Sequence, residues 1–434
     1  MFETIKNAFK IKELRKKVLY TLFMLLIFRL CCYIPTPFID TSVANDLVSK
    51  NGLLSLLDVI NGGSLANYTF MAMGISPYIN ASIILQLLMV VIPKLQDMQK
   101  EGPEGRKKIN KITRYSAIAL ALVQSIGICM SMEGVIMESY RSMAWFCYIV
   151  IGVVLSAGTA LAIWIGERIT EKGIGNGISL LIFIGIVSRL PATAGQYIQA
   201  AQSNADMWWY LILIIPFIAL IVVAIVTVDL GERRIPVQYA KRVTGRKVYG
   251  GANTYMPIKP NGAGVLPMIF ATAFMSFPGI IIQMVGAGNS DFGRFYTQWL
   301  GQGTWVYAII SVVLIIAFAY FYASISFNPE ETASDIQKYG GFIQGIRPGK
   351  PTADYLKKVN SRLTLFAGLY LAAIAVIPMI ASAIVGQTEN ANQILNLALT
   401  FGSTGILIMV SVSIEMVKQL ESQMVMNHYK GFLD

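Results

Sequence analysis

The chain has 434 residues, 55% of them hydrophobic and only 14% charged, with a net charge of +11. A soluble globular domain carries about 25% charged residues, so this composition excludes one and points to a polytopic membrane protein. A basic excess alone would fit a nucleic-acid binder, but these cations fall in alternate loops, which makes them a topology signal first.

Ten membrane spans are expected, with soft ends near 18–34, 74–92, 112–132, 145–166, 174–190, 208–230, 262–285, 304–327, 363–385 and 394–416. Each holds roughly the twenty apolar residues that cross about 30 Å of hydrocarbon as helix. Trp145, Trp208, Trp209 and Trp305 stand at segment ends, as interfacial aromatics do. Of the 35 Lys and Arg, all but Arg29, Lys50, Arg141, Arg189 and Arg294 lie in one set of alternate loops and the two terminal segments. By the positive-inside rule that set is cytoplasmic, and so are both termini.

Before the first span, Phe2, Ile5, Phe9 and Leu14 fall along one helical stripe, which predicts a short amphipathic helix on the cytoplasmic surface. The basic start and apolar run resemble a signal peptide only superficially, because no small-x-small site follows and nine more spans do. After the first span, Leu53, Leu54, Leu56, Leu57, Val59 and Ile60 belong to an apolar stretch of helical pattern between Gly52 and Asn61-Gly62-Gly63-Ser64. Eight residues give only about 12 Å of helix, too short to cross. Such a segment either re-enters and plugs a cavity or lies flat on the outer interface. Cys31, Cys32, Cys129 and Cys147 lack metal-ligand spacing and read as small buried hydrophobes. His428 is the single histidine, and no HExxH, Walker A or GxSxG string occurs. No cofactor, metal site or enzymatic activity is expected.

Four apolar segments are broken by glycine or proline: GISPYIN at 74–80, GIGNGI at 173–178, NGAGVLP at 261–267 and FGSTG at 401–405. Broken backbone at membrane depth survives only where protein or a watery cavity covers it, so these segments line something wet. Ile75 and Ile79 are four apart on one helix face, as are Ile178 and Ile182; Ile269 follows Pro267 and Ile408 follows Gly405. A ring of such side chains shuts a pore by dewetting and holds no charge to trap a passing substrate.

Long strings of this chain resemble the SecY family, the channel subunits of the bacterial Sec translocon. They are GISPYINASIILQLL at 74–88, WIGERITEKGIGNGIS at 164–179, RRIPVQYAKR at 233–242, FNPEE at 327–331 and GIRPGK at 345–350. The resemblance implies an all-α fold of ten transmembrane helices in two inverted five-helix halves, a clamshell around a central pore. Residues 1–173 would hold the first four spans with a plug near 52–65, residues 174–207 the fifth span and an external hinge loop. Residues 208–434 would hold the rest, with cytoplasmic loops at 231–261 and 328–362. It places the pore ring on Ile75, Ile79, Ile178, Ile182, Ile269 and Ile408, and the plug on Leu53, Leu54, Leu56, Leu57, Val59 and Ile60. A lateral gate carrying Asn80, Ile83 and Gln86 would open between the second and third spans on one side and the seventh and eighth on the other.

The dense cations of the two long loops form a docking platform. By resemblance the partners are the ribosome and the SecA motor ATPase, held by Arg233, Arg234, Lys241, Arg242, Arg347 and Lys350. SecE and SecG are the implied small subunits, with signal peptides, nascent polypeptides and membrane lipid as further partners. The expected activity is translocation of unfolded secretory polypeptides across the cytoplasmic membrane of a bacterium, with lateral release of hydrophobic segments. A secondary transporter of small solutes and an accessory Sec channel for few substrates remain as alternatives. Asn80 and the order Gly402-Ser403-Thr404-Gly405 depart from the usual family pattern.

Overall fold

In the computed structural model, the described residues are 9–50, 58, 61–132, 134–203, 207–239, 242–244, 247–249, 254–284, 290–301, 304–385 and 403–430. The chain is mainly helical. In order, the helices are α1 (Lys12–Cys31), α2 (Thr41–Lys50), α3 (Ser76–Val91), α4 (Pro93–Lys100), α5 (Pro103–Ser131), α6 (Ala144–Lys172), α7 (Gly177–Ser203) and α8 (Met207–Leu230). There follow α9 (Leu266–Met284), α10 (Asp291–Trp299), α11 (Trp305–Ser326), α12 (Pro329–Lys338), α13 (Lys350–Val385) and α14 (Ser403–Lys430). Helices α1, α3, α5, α6, α7, α8, α9, α11, α13 and α14 coincide with the ten expected spans; the 394–402 part of the last lies outside the described residues.

By length and apolarity alone, four helices among the described residues are able to cross a membrane, or five if the bent α3–α4 pair is one span. The α3–α4 pair bends by 106° at Ile92 and Pro93. Proline fixes its own φ and disfavours helix for the residue before it, which turns the chain out of the membrane there.

The described chain departs from the sequence reading at two helix ends. Residues 12–17 belong to the helix of the first span, with Leu14 buried against Ile174 and Leu420, while Phe9 and Lys10 are helical before a break at Ile11. The amphipathic stripe therefore faces protein at Leu14; Phe2 and Ile5 lie outside the described residues. The fifth span extends past its expected end near Leu190. Helix α7 runs through Pro191 to Ser203, because the Ala- and Gln-rich stretch after Pro191 consists of good helix formers.

The two long basic loops are not separate irregular segments. Strands β1 (Arg233–Tyr239), β4 (Thr254–Ile258) and β5 (Gly341–Ile343) form one antiparallel sheet in the order β4-β1-β5, and β2 (Arg242–Thr244) pairs with β3 (Lys247–Tyr249). Val237 pairs with Thr254 in its own loop and with Ile343 in the other, which welds the loops together. Ile235, Val237, Ile258 and Ile343 pack with Ala333, Ile336, Ala353 and Leu356 in a small apolar core.

Candidate channel waist, plug seat and lateral seam

Two of the broken segments, at Gly74 and Gly177, leave no room for a side chain. Gly74 has φ +51°, and a Cβ there would stand 2.5 Å from Asn61 Oδ1. A Cβ on Gly177 would stand 1.9 Å from the carbonyl oxygen of Gly166, so α7 begins in backbone contact with α6. The freed polar groups are satisfied locally: the Gly177 N–H donates to Thr170 Oγ1 at 2.8 Å, and the Ile178 N–H donates to Asn176 Oδ1 at 3.1 Å. Gly264, at φ +62°, turns the chain into α9.

These breaks bring the six isoleucines to one place. Ile75, Ile182 and Ile408 are buried in a single apolar cluster, and Ile79, Ile178 and Ile269 pack against it. Met24, Leu25 and Phe28 of α1 back the same cluster. Ile79 and Ile269 also touch the neighbouring cluster that holds Ile83, Phe270 and Leu407. The six isoleucines come from α3, α7, α9, α14 and the turn at Ile75.

A cavity of about 540 Å³ opens on the side of the basic loops, with Ile182, Ile269 and Ile408 in its wall. Its polar lining includes Asp229, Lys259, Asn261, Glu415 and Lys418. A second cavity, of about 270 Å³, lies toward the other ends of α1 and α7 and is lined by Arg29, Tyr33, Asn45, Asn67 and Arg189 among others.

The expected plug residues Leu53, Leu54, Leu56, Leu57, Val59 and Ile60 lie outside the described residues. Asp58 and 61–75 are described, and they seat against the waist. Asp58 is fully buried. Its Oδ1 accepts the N–H groups of Leu65 at 2.9 Å and Ala66 at 2.8 Å. Its Oδ2 stands 2.7 Å from Arg189 Nη1 of α7, in ion-pair contact rather than an in-line hydrogen bond. Burial pushes the Asp58 carboxyl above the usual carboxylate range, against the opposing pull of Arg189 and the two N–H groups. Arg29 donates to the Gly62 carbonyl at 3.4 Å, Asn61 donates to the Ala72 carbonyl at 3.0 Å, and Ser76 Oγ donates to Asn61 Oδ1 at 3.2 Å. A Cβ on Gly62, at φ +68°, would stand 2.7 Å from the Gly185 carbonyl. Gly62→Ala is therefore expected to unseat this segment, since left-handed backbone costs an alanine about 1–2 kcal/mol before the clash is counted. Ion leak through the reconstituted protein reads this; a tight Gly62→Ala variant would show that the seat is dispensable.

Of the expected gate residues, Ile83 is buried among residues of α8, α9, α11 and α13. Gln86 donates to Ser82 Oγ at 3.0 Å and also meets the Tyr322 hydroxyl of α11. Asn80 is half-buried on the same helix. Helix α5 packs on α9, and Ile83 and Gln86 of α3 meet residues of α9 and α11.

Among the expected docking residues, Arg233, Arg234, Arg347 and Lys350 are exposed on or beside the three-stranded sheet. Arg234 stacks over the Tyr255 ring at 4.8 Å. Lys241 lies outside the described residues, and only the backbone of Arg242 is described, in β2. The sequence reading missed the Asp58–Arg189 pair and Asp229. An acid inside an otherwise apolar run is the signal that marks both.

Apolar helices at the expected spans, packed around an apolar cluster that walls a cavity, define the class of a membrane channel. The SecY family profile matches residues 69–417. The SecY subunit of the protein translocase of Mycobacterium tuberculosis is 41% identical over 453 residues, covering 100% of both chains. That of Corynebacterium glutamicum is 41% identical over 99% of both. A solved protein-conducting channel superposes with a TM-score of 0.66 at 18% identity, covering 95% of this chain and 93% of that one. A second solved structure, on how the SecY plug domain stabilises the closed state and maintains a membrane seal, gives 0.65 at 18%, covering 95% and 92%. Canine Sec61 from a ribosome-channel complex gives 0.64 at 16%, covering 95% and 93%. The chain belongs to the SecY family. It is a multi-pass membrane protein and the channel subunit of a protein translocase, not an enzyme.

Proposed function

We propose that Ile75, Ile79, Ile178, Ile182, Ile269 and Ile408 form the pore ring through which unfolded secretory polypeptides cross the cytoplasmic membrane of a bacterium. The observation that carries this reading is the meeting of all six, drawn from four separate segments of the chain, in one apolar cluster, with Ile182, Ile269 and Ile408 in the wall of the larger cavity. The halves at 1–173 and 208–434 hinge through 174–207, and the segment at 52–65 is the plug. Both termini and the welded basic loops are cytoplasmic, by the positive-inside rule.

The energetics follow from the composition of the waist. A leader with about ten leucine-like residues, each favoured by about 0.5 kcal/mol in the membrane, gains about 5 kcal/mol by leaving sideways. That bias turns a 1:99 equilibrium into about 99:1. It suffices to open the seam at Ile83 and Gln86 and displace the plug. Polar chain passes instead through the waist, spared the cost of about 3 kcal/mol or more that a charged side chain meets at the bilayer centre. The solute-transporter alternative gains nothing from a waist of isoleucines, which offers no group to bind a small polar solute.

Arg233, Arg234, Arg347 and Lys350, with Lys241 and Arg242, make a cationic platform suited to ribosomal RNA phosphates and to an acidic motor surface. Its partners in this reading are the ribosome and SecA, with SecE and SecG completing the complex.

The test is a crosslinking scan with a stalled secretory chain. Single cysteines replace Ile75, Ile182, Ile269 and Ile408 in a Cys-free version, with lipid-facing isoleucines as controls. Crosslinks from the ring positions alone are expected. A loaded channel that crosslinks from none of them would place the waist elsewhere.

A further inference from the structure

We propose that Asp229 is a positioning residue of the waist, the anchor that sets the spacing between Ile269 and Ile408; this rests on the pore-ring reading above. Asp229 stands one residue before the end of α8 and lines the larger cavity. Its two carboxylate oxygens serve two different pore-bearing elements. Asn261 Nδ2 donates to Oδ1 at 3.0 Å, and Ser411 Oγ donates to Oδ2 at 2.5 Å. Its backbone carbonyl accepts from Lys418 Nζ at 3.4 Å.

Each donor sits where it governs a ring residue. Asn261 heads the turn into α9: the Gly264 N–H donates to its carbonyl, and the Ile269 N–H then donates to Val265. Where Asn261 is held therefore fixes where α9 begins and how Ile269 is presented. Ser411 follows Ile408 by three residues on α14, so the two share a helix face. One carboxylate thus ties α8, the turn at Asn261 and α14 at a single point beside the ring. Only an ionised carboxylate accepts from both donors with two equivalent oxygens; an amide offers one acceptor, and alanine none. Charge-assisted bonds of this kind are about twice as strong as neutral ones, which suits a fixed point.

The test uses the purified complex with its small subunits in proteoliposomes. Asp229→Ala is expected to raise ion leak about tenfold or more, the scale of losing bonds to a charged group. It should also change the crosslinking rate of an Ile269→Cys, Ile408→Cys pair, with the thermal midpoint little altered. Asn261→Ala and Ser411→Ala should each leak less than Asp229→Ala and add nothing to it, and Asp229→Glu should restore the seal. Ile408→Ser is the reference. If it leaks while Asp229→Ala stays tight, Asp229 positions nothing and the ring reading stands. If neither leaks, the ring reading fails and takes this one with it. Should Asp229→Ala fail to assemble, Ser411→Ala decides: an assembled complex with an unaltered seal overturns the proposal.

Discussion

Replacing Ile182 with asparagine is expected to raise ion leak through the idle channel by about a hundredfold and to let secretory proteins with weakened leaders through. Ile182 is 6% exposed, packed with Ile75 and Ile408. An amide without a partner in such surroundings costs about 1–3 kcal/mol. Loss of the isoleucine's apolar burial adds about 2 kcal/mol. Both costs fall on the closed arrangement, because the open waist lets the amide meet water or a passing chain. The closed state therefore loses about 3–5 kcal/mol, close to the whole bias that a good leader supplies. A leader with half the apolar residues should then open the seam. Conductance in planar bilayers and export of a reporter with a shortened leader measure the two effects. Ile182→Leu should preserve the seal, and an Ile182→Asn channel that neither leaks nor relaxes leader choice would contradict the assignment.

The convergence of the six isoleucines was legible because its cause is local. Gly74, Gly177, Gly264 and Gly405 stand out as anomalies in apolar runs, and an isoleucine of the cluster follows each within five residues. The six converge in the fold because broken backbone must face inward. The span order was legible for a similar reason, since apolar length and loop charge are summed over many residues. What escaped were pairings distant in sequence. Nothing in RRIPVQY reveals that Val237 will pair with Ile343 a hundred positions on, although the alternation of buried Ile235 and Val237 with exposed neighbours is a strand pattern. Helix ends escaped too. Pro191 reads as a stop, but a proline that keeps helical φ lets α7 continue when good helix formers follow. Leu14 looked like part of a surface stripe because its partners, Ile174 and Leu420, come from the far ends of other helices.

Removal of Arg189 is expected to do more harm than removal of Asp58, although the two form one pair. The Asp58 side chain is 1% exposed and that of Arg189 is 30%. In Arg189→Ala the carboxylate keeps its two N–H donors but loses its counter-charge, and stranding a buried charge costs about 3–5 kcal/mol. That cost falls on the closed seat, so the segment at Asp58 should leave it and the channel should leak. In Asp58→Asn the amide oxygen still accepts from Leu65 and Ala66, while the guanidinium reaches the adjoining cavity and stays hydrated. Its leak should be small. The pH dependence follows from the raised carboxyl of Asp58. A raised acid means the seated form binds the proton more tightly than the displaced form. Seating is therefore favoured as pH falls through the raised value and weakened as pH rises past the ordinary carboxylate value. Losing Arg189 raises the carboxyl further, so the Arg189→Ala leak should grow with pH and fade in acid. Asp58→Asn should show no such slope, and Asp58→Asn placed on Arg189→Ala should restore part of the seal. Leak through proteoliposomes, read across a pH series in the four proteins of this cycle, measures the coupling directly. Equal leaks from both single variants, flat with pH, would mean that the pair does not hold the segment in place.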